Sequence, residues 1–296
     1  MDGTTAEMSM PEQNRDPGPN LLDWVGRKET VVGCVPTTVA TTIHATLARH
    51  GGTCPQQGEP LPALWHWYGF PPAVSMDELG GDGHPKLGGF LPPVPFERRM
   101  WASGNLTFLG DLLVGDEIEK TSTITGIDEK QGSTGGMVFV NVEHELRGRG
   151  GLAIREAQTI VYLPIQPQFT PPPKKQGPTD DLVFDVHHPV STSLLFRYSA
   201  ITFNAHRVHF DLPYAQNVEH YPGLIVHGPM QANLLMAEAA AWKGRRPDQF
   251  SFRGVHPMFH DSDIQLRATK RDGGLDLCKV ADAGHMGMIA KAEWEE

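Results

Sequence analysis

Cysteine is scarce in this chain of 296 residues: Cys34, Cys54 and Cys278 are an odd number and show no C-x-x-C spacing. That pattern excludes a disulfide framework and a structural zinc site, and implies reduced thiols. No run of Lys or Arg exceeds two residues, and 25 basic against 35 acidic side chains leave a net charge of −10. Such a balance argues against nucleic acid as a partner. No stretch reaches the roughly 18 apolar residues that span a bilayer. The start, MDGTTAEMSMPEQNRDPG, is acidic and polar where a targeting leader would be basic and then apolar. The expectation is a soluble, cytoplasmic protein with no membrane partner. What is abundant is apolar material, 39%, together with 32 Gly and 25 Pro. A buried core is therefore available, and many turns between strands are expected in place of a helical bundle.

Proline also divides the chain. Between Pro164 and Pro178 the run PIQPQFTPPPKKQGP removes backbone donors and resists both helix and sheet. The organisation read from this is a disordered tail over 1–20, a first domain over 21–164, a linker over 165–180 and a second domain over 181–296. In the first domain, 106–108, 117–127, 136–146 and 154–163 read as strands, the last two as a hairpin closed by Gly148-Arg149-Gly150-Gly151. Its one helix is expected over Thr38–Arg49, where Val39, Ile43 and Leu47 recur every four residues. In the second domain Ser193–Phe203 reads as a strand. Pro229–Lys243 is the clearest helix, with Pro in its first turn, Gly244 closing it and apolar or Ala positions around most of the cylinder. Antiparallel strands of about eight residues follow. An α+β fold results, with two antiparallel sheets each wrapped on a central helix: a double hotdog.

The densest polar cluster is Asn204-Ala205-His206-Arg207-Val208-His209-Phe210-Asp211. Further on, Leu224-Ile225-Val226-His227-Gly228 leads into the N-terminus of the buried helix. An N–H at that position is unpaired and lies along a favourable dipole, so Gly228 is a candidate oxyanion donor. An imidazole, an amide five residues earlier and that donor are what addition of water to an α,β-unsaturated thioester requires. His209 would take the proton, Asn204 would orient the water and Gly228 would hold the enolate. Arg207 could meet a substrate carboxylate or a neighbouring acid, and Arg98-Arg99 could be a solvated face or a phosphate clamp for CoA. His227 either shapes the turn or contacts substrate. The six tryptophans, including Trp65 and Trp67, are expected in the core and between domains.

HRVHFDLPYA followed by YPGLIVHGPMQANLL resembles the second-half signature of the MaoC-like (R)-specific enoyl-thioester hydratases. LGGDGHP, GGFLPPVP and RRMWA in the first half are similar to the N-terminal domain of a double-hotdog branch. That branch holds mesaconyl-C4-CoA (3-methylfumaryl-CoA) hydratases and 3-hydroxyacyl-thioester dehydratases. The resemblance covers roughly 24–294. It implies a CoA or acyl-carrier thioester substrate, no cofactor, no metal, and an active site in the second domain with a non-catalytic first domain; one double hotdog mimics a hotdog dimer, so a monomer could suffice, with further pairing into a homo-oligomer as the alternative. Asp211 matches the family pattern; it is counted with the substrate-binding residues, and its expected role is to fix the loop. One position departs: the family carries Asp five residues before the catalytic His, and here Asn204 stands there, an amide that cannot cycle a proton. Two other classes compete. His209, Asp211 and His227 have the ligand types of a non-haem iron oxygenase, and the Asn204 departure fits a non-catalytic acyl-binding subunit.

Overall fold

In the computed structural model residues 19–48, 52–132 and 135–296 are described. Most of the expected tail, residues 1–18, and the expected helix end at Arg49 lie outside them. The first half holds β1 (Lys28–Cys34), α1 (Thr37–Leu47), β2 (Arg98–Phe108), β3 (Glu117–Gly132), β4 (Gly135–Gly148) and β5 (Gly151–Leu163). The second holds β6 (Leu182–His188), α2 (Thr192–Ile201), α3 (Leu212–Asn217), α4 (Gly228–Lys243), β7 (Gln249–Gly254), β8 (Ile264–Arg271), β9 (Gly274–Ala281) and β10 (Met286–Glu293). The spatial order is β1-β3-β4-β5-β2-β7-β10-β9-β8-β6, antiparallel throughout. Counted within each half, the order is first, third, fourth, fifth, second, and then the reverse. The two expected sheets are thus halves of one, joined where Ser103–Thr107 of β2 pair with Gln249–Arg253 of β7. Pairing at that seam removes two open sheet edges.

Each half wraps a helix. Ala40, Ile43 and Leu47 form the buried face of α1, while α4 is buried around most of its circumference. Pro229 opens α4, and Gly244, at φ 78°, closes it by giving its N–H to Ala240 O. Ile43, Leu106, Leu235 and Leu277 belong to one core that crosses the seam. The tryptophan expectation fits this: Trp67 packs edge-on against Trp101 and Phe252 at the junction, and its indole N–H and His66 both bond Glu156. All three cysteines are free thiols.

The expected strand over Ser193–Phe203 is corrected to a helix. Ser191 accepts from Leu194 N–H as an N-cap, and Leu195, Tyr198 and Ser199 make the buried face at helical spacing. The aromatic residues that read as strand formers, Phe196 and Phe203, are exposed.

One residue breaks the pattern of β9. Leu275, Leu277 and Ala281 face the core, and Lys279 shares that face, fully buried with no partner for Nζ. Burial drives its pKa well below the usual lysine value. His285, an ionisable group that its charge reaches, is itself basic. In the unfolded chain the amine is charged up to about pH 10.4, so folding expels a proton, and stability rises with pH across the window below that value. Lys279→Met is expected to stabilise the fold by about 1–4 kcal/mol at pH 7 and to flatten that rise. Urea unfolding at several pH values measures both, and a lowered midpoint would show that the amine is paired.

Candidate active site

The polar cluster is a loop between α2 and α3, built by local capping. Asn204 Oδ1 accepts from His206 N–H at 2.9 Å and opens a short turn over Arg207–His209. Asp211 caps α3 by accepting from Tyr214 N–H at 3.1 Å, and its other oxygen takes Arg207 Nε at 3.0 Å and Nη2 at 2.8 Å. Arg207 Nη1 donates to Gly81 O at 3.1 Å, and the guanidinium lies over Tyr214 at 4.0 Å. All three of its nitrogens are engaged within the protein. Of the two readings of Arg207, the neighbouring acid is the one the structure shows.

Four imidazoles gather at the start of α4. His209 donates Nδ1–H to Ile225 O at 2.8 Å, which leaves the lone pair on Nε2. Its ring stacks on His227 at 3.6 Å, and His206 meets it edge-on at 5.2 Å. His227, the residue before α4, holds Ser199 Oγ at 2.9 Å through Nε2. Burial, then the neighbouring His227 and His206, pull His209 well below the ordinary histidine range. Burial likewise takes His227 down to about 3. Both rings are neutral at pH 7, and a neutral imidazole is what accepts a proton. Gly228 begins α4 directly beyond His227, and a Cβ there would meet only Trp101 O at 4.0 Å. Open space therefore lies beside the helix N-terminus.

The first half reaches this cluster through residues 80–85. Asp82 O accepts Arg207 N–H at 2.9 Å. Gly83, at φ +89°, passes so close to the loop that a Cβ would stand 1.9 Å from Ala205 O. The turn delivers His84, whose ring lies 4.0 Å from His206 and whose Nδ1 bonds Asp82 Oδ2 at 2.7 Å. Burial raises Asp82, but hydrogen bonds from His84 outweigh it and hold the carboxyl at about 2. Burial lowers His84 to about 4, against the pull of Asp82. Neither residue was assigned a role from the sequence, although the D-G-H signal with a glycine between was present.

Arg98 is corrected. It is buried, donating Nε to Glu219 Oε2 at 2.8 Å and Nη2 to Glu219 O, with its guanidinium over Tyr221. That burial excludes a solvated face, and the two bonds to Glu219 tie β2 to the loop after α3. Arg99 differs: it gives Nη2 to Pro85 O at 3.2 Å, and its charge reaches His84 and Tyr162. The His209, Asp211 and His227 iron triad is not assembled, because Asp211 is bound to Arg207 and stacked rings cannot aim their lone pairs at one ion. Donor atoms of Asp82, His84 and His206 do lie within 4.8 Å of one another. The two rings are tilted by only 33° face to face, and Asp82 already bonds Nδ1, so these lone pairs do not converge either. A cavity of about 500 Å³ lies elsewhere, against β7, β9 and β10, and no histidine lines it. Among the described residues no helix is long and apolar enough to cross a membrane.

Two sheet halves around α1 and α4, with imidazoles collected at the start of α4, define a double-hotdog protein. Residues 64–260 match the family model described as hydroxyacyl-thioester dehydratase type 2, and the chain belongs to that family of hydro-lyase enzymes. It is 39% identical over 273 residues to the mesaconyl-C(4)-CoA hydratase of Chloroflexus aurantiacus, covering 92% of this chain and 97% of that one. With the mitochondrial hydroxyacyl-thioester dehydratase type 2 of Schizosaccharomyces pombe it shares 27% over 230 residues, 68% of this chain and 75% of that one. In fold it is similar to a MaoC-like dehydratase from Phytophthora capsici, with a TM-score of 0.68 at 12% identity, covering 94% and 98% of the two chains. HtdX of Mycobacterium tuberculosis gives 0.64 at 18%, covering 90% and 98%.

Proposed function

We propose that the protein adds water reversibly across the double bond of an α,β-unsaturated acyl-CoA, and that the acyl group is mesaconyl with its thioester at C4. The observation that carries the chemistry is the placing of His209, whose Nδ1–H is held by Ile225 O and whose ring stacks on His227, the residue directly before the first N–H of α4. Water gives one proton to His209 Nε2 as its oxygen bonds the β-carbon. The electrons of the double bond pass into the thioester as an enolate, held by Gly228 N–H. The α-carbon then takes the proton back from His209. Asn204 keeps Oδ1 on His206 N–H, so its Nδ2 is the end that orients water. The identity with the Chloroflexus enzyme supports the choice of acyl group.

In 3-methylfumaryl-CoA the free carboxylate sits on the carbon that water attacks. Its partner must therefore lie close to the base, since an unpaired charge out of water costs several kcal/mol. Arg207 is engaged with Asp211 and Gly81, so the role passes to Arg99, whose charge acts at His84. Arg99→Met is expected to lower kcat/KM for mesaconyl-C4-CoA by about 10²-fold, the loss of a charged hydrogen bond, and to affect crotonyl-CoA far less. Equal losses would make Arg99 structural.

The reaction itself is tested with a panel of enoyl thioesters, followed by loss of the conjugated absorbance. The expected result is a wild-type preference for mesaconyl-C4-CoA. A preference for crotonyl-CoA or longer chains would select the second reading, an (R)-3-hydroxyacyl-CoA or acyl-carrier-protein dehydratase, which the Schizosaccharomyces relative supports. No turnover of any thioester would point to an acyl-binding subunit.

A further inference from the structure

The substitution of Asn204 for the carboxylate of the MaoC-like pattern leaves the attacking water short of one acceptor. Asn204 cannot supply it, because its carbonyl oxygen is held by His206 N–H. A carboxylate does stand in the cluster, but it comes from the other half of the chain and acts through an imidazole. Asp82 Oδ2 lies 2.7 Å from His84 Nδ1, and Asp82 Oδ1 takes His84 N–H at 3.0 Å, so two bonds fix the ring on its own turn. An ionised carboxylate only accepts, so Nδ1 carries the hydrogen and Nε2 the lone pair. The same tautomer is set at His209 by Ile225 O. His206 lies 4.0 Å from the His84 ring and 5.2 Å from the His209 ring between centres, and the charge of His84 reaches His209. The side chain of His84 keeps 22% of its surface accessible, so its free nitrogen is reachable by water.

We propose that His84, oriented by Asp82, is a second catalytic residue, accepting through Nε2 the O–H of the attacking water that His209 does not take. The proposal rests on the hydration reading above. The step balances without a co-reactant. One water hydrogen passes to His209 Nε2 and on to the α-carbon, while the other stays on oxygen, hydrogen-bonded to His84, and becomes the product hydroxyl. In the reverse direction the same nitrogen holds the hydroxyl that departs as water. The first half of the chain then contributes directly to chemistry, and Gly83 is the residue that lets its turn approach.

The test uses full-length His84→Ala, His84→Gln and Asp82→Asn, each assayed on crotonyl-CoA and mesaconyl-C4-CoA beside the wild type. His84→Ala is expected to lose about 10²-fold or more in kcat on both substrates with KM within a few-fold, and to regain rate when imidazole is added. His84→Gln, which keeps an acceptor, should retain more than Ala. Asp82→Asn preserves shape but donates to Nδ1 and so moves the hydrogen to Nε2; it should lose kcat although the ring stays in place. Full activity of Asp82→Asn, a His84→Ala loss confined to the carboxylate substrate, or a folded His84→Ala protein that imidazole does not rescue would each overturn the proposal alone. A wild type inactive on every enoyl thioester would instead overturn the hydratase reading, and the proposal with it.

Discussion

His209→Ala is expected to lower kcat by about 10²- to 10⁴-fold, the usual contribution of a positioned general base, with the fold intact by circular dichroism. The expectation rests on three features of one ring. Ile225 O fixes the tautomer, His227 fixes the plane, and burial keeps the ring neutral. The third feature gives a pH signature. The active form is the deprotonated one, so kcat/KM falls as pH drops through the folded pKa, and that pKa lies well below the ordinary histidine value. The acid limb of the wild-type profile should therefore lie well below pH 6.5, and the residual rate of His209→Ala should keep only the limb that His84 sets, at about 4. An active His209→Ala protein would remove the residue from the mechanism.

Gly83→Ala carries the second large effect, though the residue touches no substrate. At φ +89° an L side chain is strained, and its Cβ would stand 1.9 Å from Ala205 O, a contact with backbone that no rotamer relieves. The 80–85 turn and the 204–209 loop must separate by more than an ångström. Misplacement on that scale costs about 10²-fold in rate, and the strain costs on the order of 1–3 kcal/mol of stability. Gly81→Ala is the control two residues away: nothing stands within 4 Å of its added Cβ, and its φ is ordinary. Kinetics and thermal unfolding of both variants check the expectation. A Gly83→Ala enzyme as fast as Gly81→Ala would show that the two halves need not meet for turnover.

The Arg98–Glu219 pair makes the same connection by charge. Burial raises Glu219, while the His206 ring, 3.7 Å from Oε1, and the hydrogen bond from Arg98 Nε to Oε2 outweigh it and hold the carboxyl below the usual carboxylate value. The pair ties β2, at the seam, to the segment that follows α3 and precedes His227. Seam, loop and helix N-terminus are thus held by one network, and substitutions in the first half are expected to be felt at His209.

Where local pattern carries the physics, the sequence alone was informative. Strands β3 to β5 and β7 to β10 announce themselves by runs of strand formers between glycine turns. The α4 helix does so by Pro229, Gly244 and its apolar surround, and these place His209, His227 and Gly228 at one helix start. Asn204 was legible as a departure from the MaoC-like pattern, and Asp211 as a loop-fixing residue. The helix α2 reads as a strand because Phe196 within it and Phe203 just beyond it, both exposed, outweigh the capping signal of Ser191, a balance that burial decides and spacing does not. What lay beyond the sequence were the relations between distant segments: the joining of β2 to β7, the burial of Arg98 against Glu219, 121 residues away, the capture of Arg207 by Gly81, and the arrival of Asp82 and His84 beside His206. Periodicity and capping are written within a few residues of chain. The partner of a charge, and the ring that a histidine faces, depend on which surfaces pack together, and that is settled only when the whole core closes.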